Sequence, residues 1–222
     1  MENPIVIALM IAGGIVIVAV IIMIVRYYEK KRTEALQAAA SAMGLTFSGR
    51  PGADFLPTLG AFTLFSQGHS KKAANMMSGI IDGIDMAIFD YRYTTGGGKN
   101  SHTHSQTVFL LKSDSLSLPA FSLRPENVFH KIGKAFGYQD IDWDSHPEFS
   151  DKYLLRAADE AACREAFSDD ILEYYQQRPG LSTEGSGNRL IFFRASKKVK
   201  PENLATFLKD GLHVYTLFTK GG

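Results

Sequence analysis

The chain has 222 residues, enough for one anchor and one ordinary domain or two small ones. With 45% hydrophobic and 21% charged residues it has globular composition, which excludes a disordered or fibrous chain. The net charge of +1 offers no field to gather nucleic acid, and none is expected as a partner.

Ile5 to Val25 reads IVIALMIAGGIVIVAVIIMIV, without a charge. At 1.5 Å per residue it spans ~30 Å, the thickness of the hydrocarbon layer. In lipid the backbone must satisfy its own hydrogen bonds, so the segment is predicted to be a transmembrane helix, with Pro4 in its first turn. Its start lacks a basic residue and its apolar run exceeds a signal-peptide core, so an uncleaved anchor is expected. Residues 1–4 form a short tail. Arg26, Lys30, Lys31 and Arg32 follow the span, and Tyr27 and Tyr28 suit the interface. The positive-inside rule then puts the carboxyl side in the cytoplasm. Ala8, Ala12, Gly13 and Gly14 could let two helices approach, although GxxxG itself is absent. The composition predicts a helical stalk over 26–43, closed by Gly44. The alternative is a break near Arg32. Of the 24 basic and 23 acidic residues, four and three lie before residue 35, leaving 20 of each. The soluble part is neutral, so attraction to lipid is expected from the basic flank alone.

From 44 onward an α+β domain is predicted, antiparallel sheet covered by helices. An internal boundary would fall near 125–140. Leu45–Phe47 and Phe62–Phe65 read as short strands. Ile80–Thr94 and Thr103–Lys112 read as an antiparallel hairpin, and Pro119–Leu123 as a strand. Asn127–Phe136 and Asp159–Gln177 carry helical apolar stripes. Tyr153–Ala157 reads as a strand, Leu181–Glu184 and Arg189–Ala195 as a second hairpin, and the segment from Leu204 to Tyr215 as a helix, although LHVYTLF alone has strand composition. RPENVFHKIGK at Arg124 and KPENLATFLK at Lys200 are self-similar, which helix-capping chemistry explains as well as duplication does.

Chemistry has few candidates. GGGK, Gly96–Lys99, is not a P-loop: Tyr93 stands at the first glycine position, Asn100 follows the lysine, and the context is strand–turn–strand. His102 and His104 share a strand face and could reach one metal, but no spacing supplies a third ligand. In DIDWDSHPEFSD, Asp140, Asp142, Asp144 and Asp151 fill the charged places of an EF-hand loop. Ser145 replaces its glycine, Ile141 and Trp143 are bulky, Pro147 lies inside, and Asp151 is shorter than glutamate. The competing account buries Ile141 and Trp143 and turns the aspartates to solvent or to helix caps. The single cysteine, Cys163, forms a helical stripe with Phe167, Ile171 and Tyr174, so it reads as buried and structural. No catalytic signature is present and no cofactor is expected.

At FSLRPENVFHKIG and QDIDWDSHPEFSDKYLLRA the chain resembles a group of bacterial single-pass membrane proteins, uncharacterised in function, with an N-terminal anchor. The resemblance runs from DGIDMAIFDYRYTTGGGKN to the carboxyl end. It implies an inner-membrane location and a shared domain, and it brings no activity, cofactor or catalytic residue. Two functions stay open. One is a binding or scaffolding module at the membrane surface, with a protein, a second copy or a lipid headgroup as partner. The other is a membrane-tethered enzyme, in one version metal-assisted, using Asp140–Asp151 or the His102/His104 pair.

Overall fold

The computed structural model describes residues 4–126 and 140–220. The helix expected over Asn127–Phe136, and with it most of one copy of the self-similar unit, lies outside the described residues. The first element is one uninterrupted helix, α1 (Pro4–Ala42). Its large apolar side chains from Leu9 to Val25 are exposed, and none of the other described residues covers them. A helix apolar on every side and uncovered by protein matches lipid as its surroundings. The last turns differ. Leu36 and Ala40, four residues apart and so on one face, are buried in the domain. Gly44, at φ +71°, ends the helix, and Leu45 N–H returns to Ala40 O at 2.9 Å.

Among the described residues the domain is built on one antiparallel sheet of eight strands. They are β1 (Thr46–Phe47), β2 (His69–Ile81), β3 (Ile84–Thr95), β4 (His102–Lys112), β5 (Leu118–Pro125), β6 (Tyr153–Ala157), β7 (Ser182–Gly187) and β8 (Arg189–Phe193). Their spatial order is β1-β2-β3-β4-β8-β7-β5-β6. Alternation along β3 gives the sheet two buried faces. Met86 and Ile88 join Phe109, Leu111, Phe121, Leu123 and Phe192 in the larger core. That core is covered by the end of α1 and by helices α4 (Glu160–Ala166), α5 (Asp169–Gln177) and α6 (Leu204–Lys220). On the other face Phe89, Tyr91, Tyr93, Val108, Ile191 and Phe193 meet Leu59, Phe62, Leu64 and Phe65. These come from a short 3₁₀ turn (Leu56–Leu59) and from α2 (Thr63–Ser66). Helix α3 (Pro147–Lys152) leads into β6. Helix followed by antiparallel sheet with covering helices is the expected α+β class.

Several local expectations are corrected. Phe62–Phe65 is not a strand; Thr63–Ser66 coil into a helical turn that presses Leu64 and Phe65 onto the sheet. Ile80–Thr94 is not one strand. Asp82 (φ 52°) and Gly83 (φ 79°) make a two-residue turn with both φ positive, the geometry that joins twisted antiparallel strands. Ile80 and Ile81 therefore end β2, a 13-residue strand whose first half, HSKKAAN, lacks strand formers. The helix read over Asp159–Gln177 is two helices, α4 and α5. The chain breaks at Phe167–Ser168, where extended Ser168 precedes Asp169 and Asp170, acids suited to a helix's first turn. The stripe of Cys163, Phe167, Ile171 and Tyr174 is buried nonetheless.

Candidate functional site

Among the described residues, the densest polar constellation joins the long helix to the sheet. Asp90 faces α1, on the same side of β3 as Met86 and Ile88, and is 6% exposed. Arg32 Nε donates to its Oδ2 and Arg32 Nη2 to its Oδ1, each at 2.9 Å, a two-pronged ion pair. Thr107 Oγ1 donates to Oδ1 at 2.8 Å and Asn75 Nδ2 to Oδ2 at 3.1 Å. Lys198 Nζ stands 3.9 Å away. Thr33 Oγ1, next to Arg32, donates to Asn75 Oδ1 at 2.9 Å, and Val199 N–H donates to Thr107 Oγ1 at 2.9 Å. The segment after β8 is thereby tied to the same hub.

Local backbone explains how Asn75 reaches it. The register of β2 against β3 slips between Ala74 and Met77, and Asn75 takes φ 52°. Asparagine tolerates the left-handed region better than most residues, and a bulge re-aims a side chain. Asp90 Oδ1 and Oδ2 each accept two hydrogen bonds, so the carboxylate is fully engaged. Its chemistry is that of a fastener. A general base would need a free lone pair within reach of a substrate.

A second buried pair lies on the opposite face. Arg124 Nη2 donates to Glu184 Oε1 at 2.6 Å, and Glu184 is 1% exposed. Glu184 Oε2 accepts Leu64 N–H at 3.2 Å, which fixes the covering turn α2 to the sheet. Tyr93 lies near this pair. Burial raises its phenol above the ordinary value, Arg124 works against that shift and Glu184 adds to it. Beyond α2, an open groove of about 640 Å³ lies between the 3₁₀ turn and the sheet, lined by Phe55, Leu59, Met76, Ala87, Leu110 and Arg189. Arg189 is engaged there: it donates to Thr58 O at 2.7 Å.

The residues singled out from the sequence fall as follows. Arg26, Tyr27, Tyr28, Lys30 and Lys31 are exposed on α1 beyond the apolar run, whereas Arg32 turns into the domain. His102 is exposed at the start of β4. His104 stacks on Tyr93 with ring centroids 4.8 Å apart, its Nε2 lies 2.9 Å from Thr95 Oγ1 and its Nδ1 3.1 Å from Ser196 Oγ. Asp140 is held by Arg156 Nε at 2.6 Å, and Asp142, Asp144 and Asp151 are exposed. Ile141 is buried and Trp143 half-buried, with Trp143 N–H donating to Ser150 Oγ at 2.9 Å. Among the described residues, no three His, Cys, Asp or Glu side chains come together as metal ligands would. Burial pushes the Cys163 thiol up to about 12, the opposite of an activated nucleophile.

Asp90, Asn75 and Thr107 were missed by sequence reasoning. An asparagine inside an otherwise extended segment and an aspartate inside an aromatic strand were the available signals. Neither names a partner 58 residues away.

No protein-family model matches the chain, and no curated protein does. Among solved structures the chain is similar to the mycobacterial trehalose monomycolate transport factor A, TtfA, with a TM-score of 0.59 at 13% identity. The match covers 86% of this chain and 93% of that one. At that identity the likeness is one of fold: an α+β domain of this architecture.

Proposed function

We propose that this chain is a membrane-anchored binding or scaffolding module. Residues 5–25 span the inner membrane of a bacterium, the amino terminus lies outside, and the 44–222 domain is held in the cytoplasm on the 26–43 stalk. The observation that carries this reading is the fastening of Arg32 and Thr33 to Asp90 and Asn75. Arg32 follows Val25 by seven residues, ~10 Å of helix. A domain fixed that close to the bilayer and continuous with the spanning helix is presented at a set height and orientation, which suits meeting partners at the membrane surface. The basic flank supports the cytoplasmic placement. Serving transport, as the name of the mycobacterial neighbour states of that protein, is one form such a module takes. The metal-assisted alternative has no ligand set among the described residues.

Cross-linking of the full chain in its native membranes tests the proposal. Reproducible cross-links to a protein partner or a second copy are expected. Finding only an isolated monomer under all conditions would overturn it. Reporter fusions at both termini read the topology, and a carboxyl terminus outside the cytoplasm would overturn the orientation.

A further inference from the structure

The charges of the domain balance in number and not in space. Arg32 sits level with Asp90, whereas Leu45, just past the helix end, lies against Gly79, which is opposite Met86. The amino-terminal, membrane side of α1 therefore corresponds to the carboxyl-terminal half of β3. Antiparallel pairing brings to that same end the start of β2, the start of β4 and the chain leaving β8. Five residues of β3 beyond Asp90 rise ~17 Å. The helix needs ~10 Å to travel from Arg32 back to Val25. Because ~17 Å exceeds ~10 Å, even a strand inclined to the helix axis brings the β3–β4 tip into the headgroup layer, which is ~5–8 Å deep on each side of the hydrocarbon.

This end is basic. Across residues 67–75, 90–106 and 193–200 the sequence contains one acid, Asp90, and that one is buried and engaged. Lys72, Arg92, Lys99, Lys197 and Lys198 are exposed there; on the adjoining helix Arg26, Lys30 and Lys31 are exposed together with Glu29 and Glu34, and Lys30 pairs with Glu34 at 3.8 Å. At the far end of the same strands stand Asp82, Asp85 and Asp114, with Lys112 and Arg189. One local feature asks for an anion directly. Lys72 and Arg92 are cross-strand partners on one face of the sheet. Like charges directly opposite each other destabilise a strand pair unless something negative lies between or above them.

We infer that the membrane-proximal end of β2, β3 and β4, with the chain leaving β8, docks on anionic phospholipid headgroups of the bilayer that holds the anchor. This rests on the membrane-anchored reading above and adds the ligand class. The tip is built for the contact. Gly96 (φ +73°) and Gly98 (φ +57°) turn the chain tightly, a Cβ at Gly96 would strike Asn100 O, and His69 Nε2 lies 3.1 Å from Gly96 O. The tip is therefore compact and anchored, and it carries small side chains and one lysine into the headgroup layer.

The test is hydrogen–deuterium exchange of the full chain in nanodiscs of phosphatidylcholine, with and without phosphatidylglycerol. Slower exchange is expected over 69–74, 92–102 and 196–200 in the anionic discs, reversed by raising the salt. A cation close to an anionic leaflet favours the docked state by about fivefold (about 1 kcal/mol). The double substitution Lys72→Gln/Arg92→Gln should therefore cut the lipid-dependent protection on the order of twentyfold. Its melting temperature in neutral detergent should match that of the parent chain. Should that variant not fold, the salt titration of the parent chain decides, and protection insensitive to salt overturns the inference. Equal exchange in both kinds of disc, with the chain inserted, overturns the lipid contact and leaves the anchored module standing. Failure of the chain to insert into either disc overturns the anchored reading itself.

Discussion

Removing Asp90 tests whether the helix and the sheet are one mechanical unit. In Asp90→Ala, Arg32 loses both of its hydrogen bonds to the carboxylate, and Thr107 and Asn75 each lose an acceptor. Arg32 keeps some water, its side chain being 19% exposed, so the cost falls short of that for a fully buried cation. With about 1 kcal/mol for each stranded group, the loss is about 3 kcal/mol. Arg32→Ala costs less, about 2 kcal/mol, because Asp90 retains Thr107, Asn75 and the nearby Lys198. For a chain of this size 1 kcal/mol moves the melting temperature by about 2–4 °C, so Asp90→Ala should melt about 6–12 °C lower. Near-ultraviolet circular dichroism of the full chain in detergent reads the transition. The double substitution isolates the pair, with a coupling of about 1–2 kcal/mol expected. A coupling under about 0.5 kcal/mol, or Asp90→Ala melting within about 1 °C of the parent, would refute the fastening argument.

Glu184→Ala should cost about 3–5 kcal/mol, since it leaves Arg124 buried without its partner and frees Leu64 N–H; urea unfolding measures it, and a loss below about 1 kcal/mol would show that α2 is held by its apolar contacts alone. Gly211 of α6 lies against the Phe109 ring, and a Cβ there would overlap it; Gly211→Ala should destabilise by about 1–3 kcal/mol despite a helix-propensity gain of about 1 kcal/mol, and a stabilised variant would mean that the ring moves aside freely. Cys163, raised by burial from 9.0 to about 12, should resist thiol reagents at about pH 8 until the domain unfolds, and stoichiometric labelling of the folded chain would contradict its burial. Burial likewise raises Tyr153 from 10.0 to about 12. Both groups hold their protons more tightly folded than unfolded. Their contribution is complete below the unfolded values and is lost as pH rises from 9.0 to about 12. Urea unfolding repeated at increasing alkaline pH should show that decline, and a flat profile would argue against it.

The long apolar helix, the β3–β4 and β7–β8 hairpins, β6 and the buried Cys163 stripe were legible because each is a local pattern of period or composition. β2 was not, because its lysines, alanines and asparagine carry little strand preference and are drafted into the sheet by their neighbours. The Asp82–Gly83 turn was legible in principle: aspartate–glycine between apolar runs marks a hairpin, and the aromatic richness on its far side masked it. Arg32 illustrates the deeper limit. In sequence it is one of four cations beside a membrane span, indistinguishable from Lys30 and Lys31. Only the helical phase that buries Leu36 and Ala40 turns it toward the sheet, and only β3 supplies the carboxylate that it meets. Spatial sorting of charge was invisible for the same reason, since a neutral total says nothing of which strand ends lie together.

On the proposed anchoring, the unbroken α1 has a mechanical consequence for the domain. Spanning helices tilt on average by about 20°, and a change in bilayer thickness is met partly by a change of tilt. With no hinge in α1 and a fastening at Arg32, a tilt of the span becomes a tilt of the domain. Twelve residues of β3 separate the membrane-side tip from the far turn, a lever of ~40 Å. A 20° tilt sweeps its end sideways on the order of 14 Å. On the proposed anchoring, the position of the far turn follows the tilt of the helix and, through it, the thickness of the bilayer.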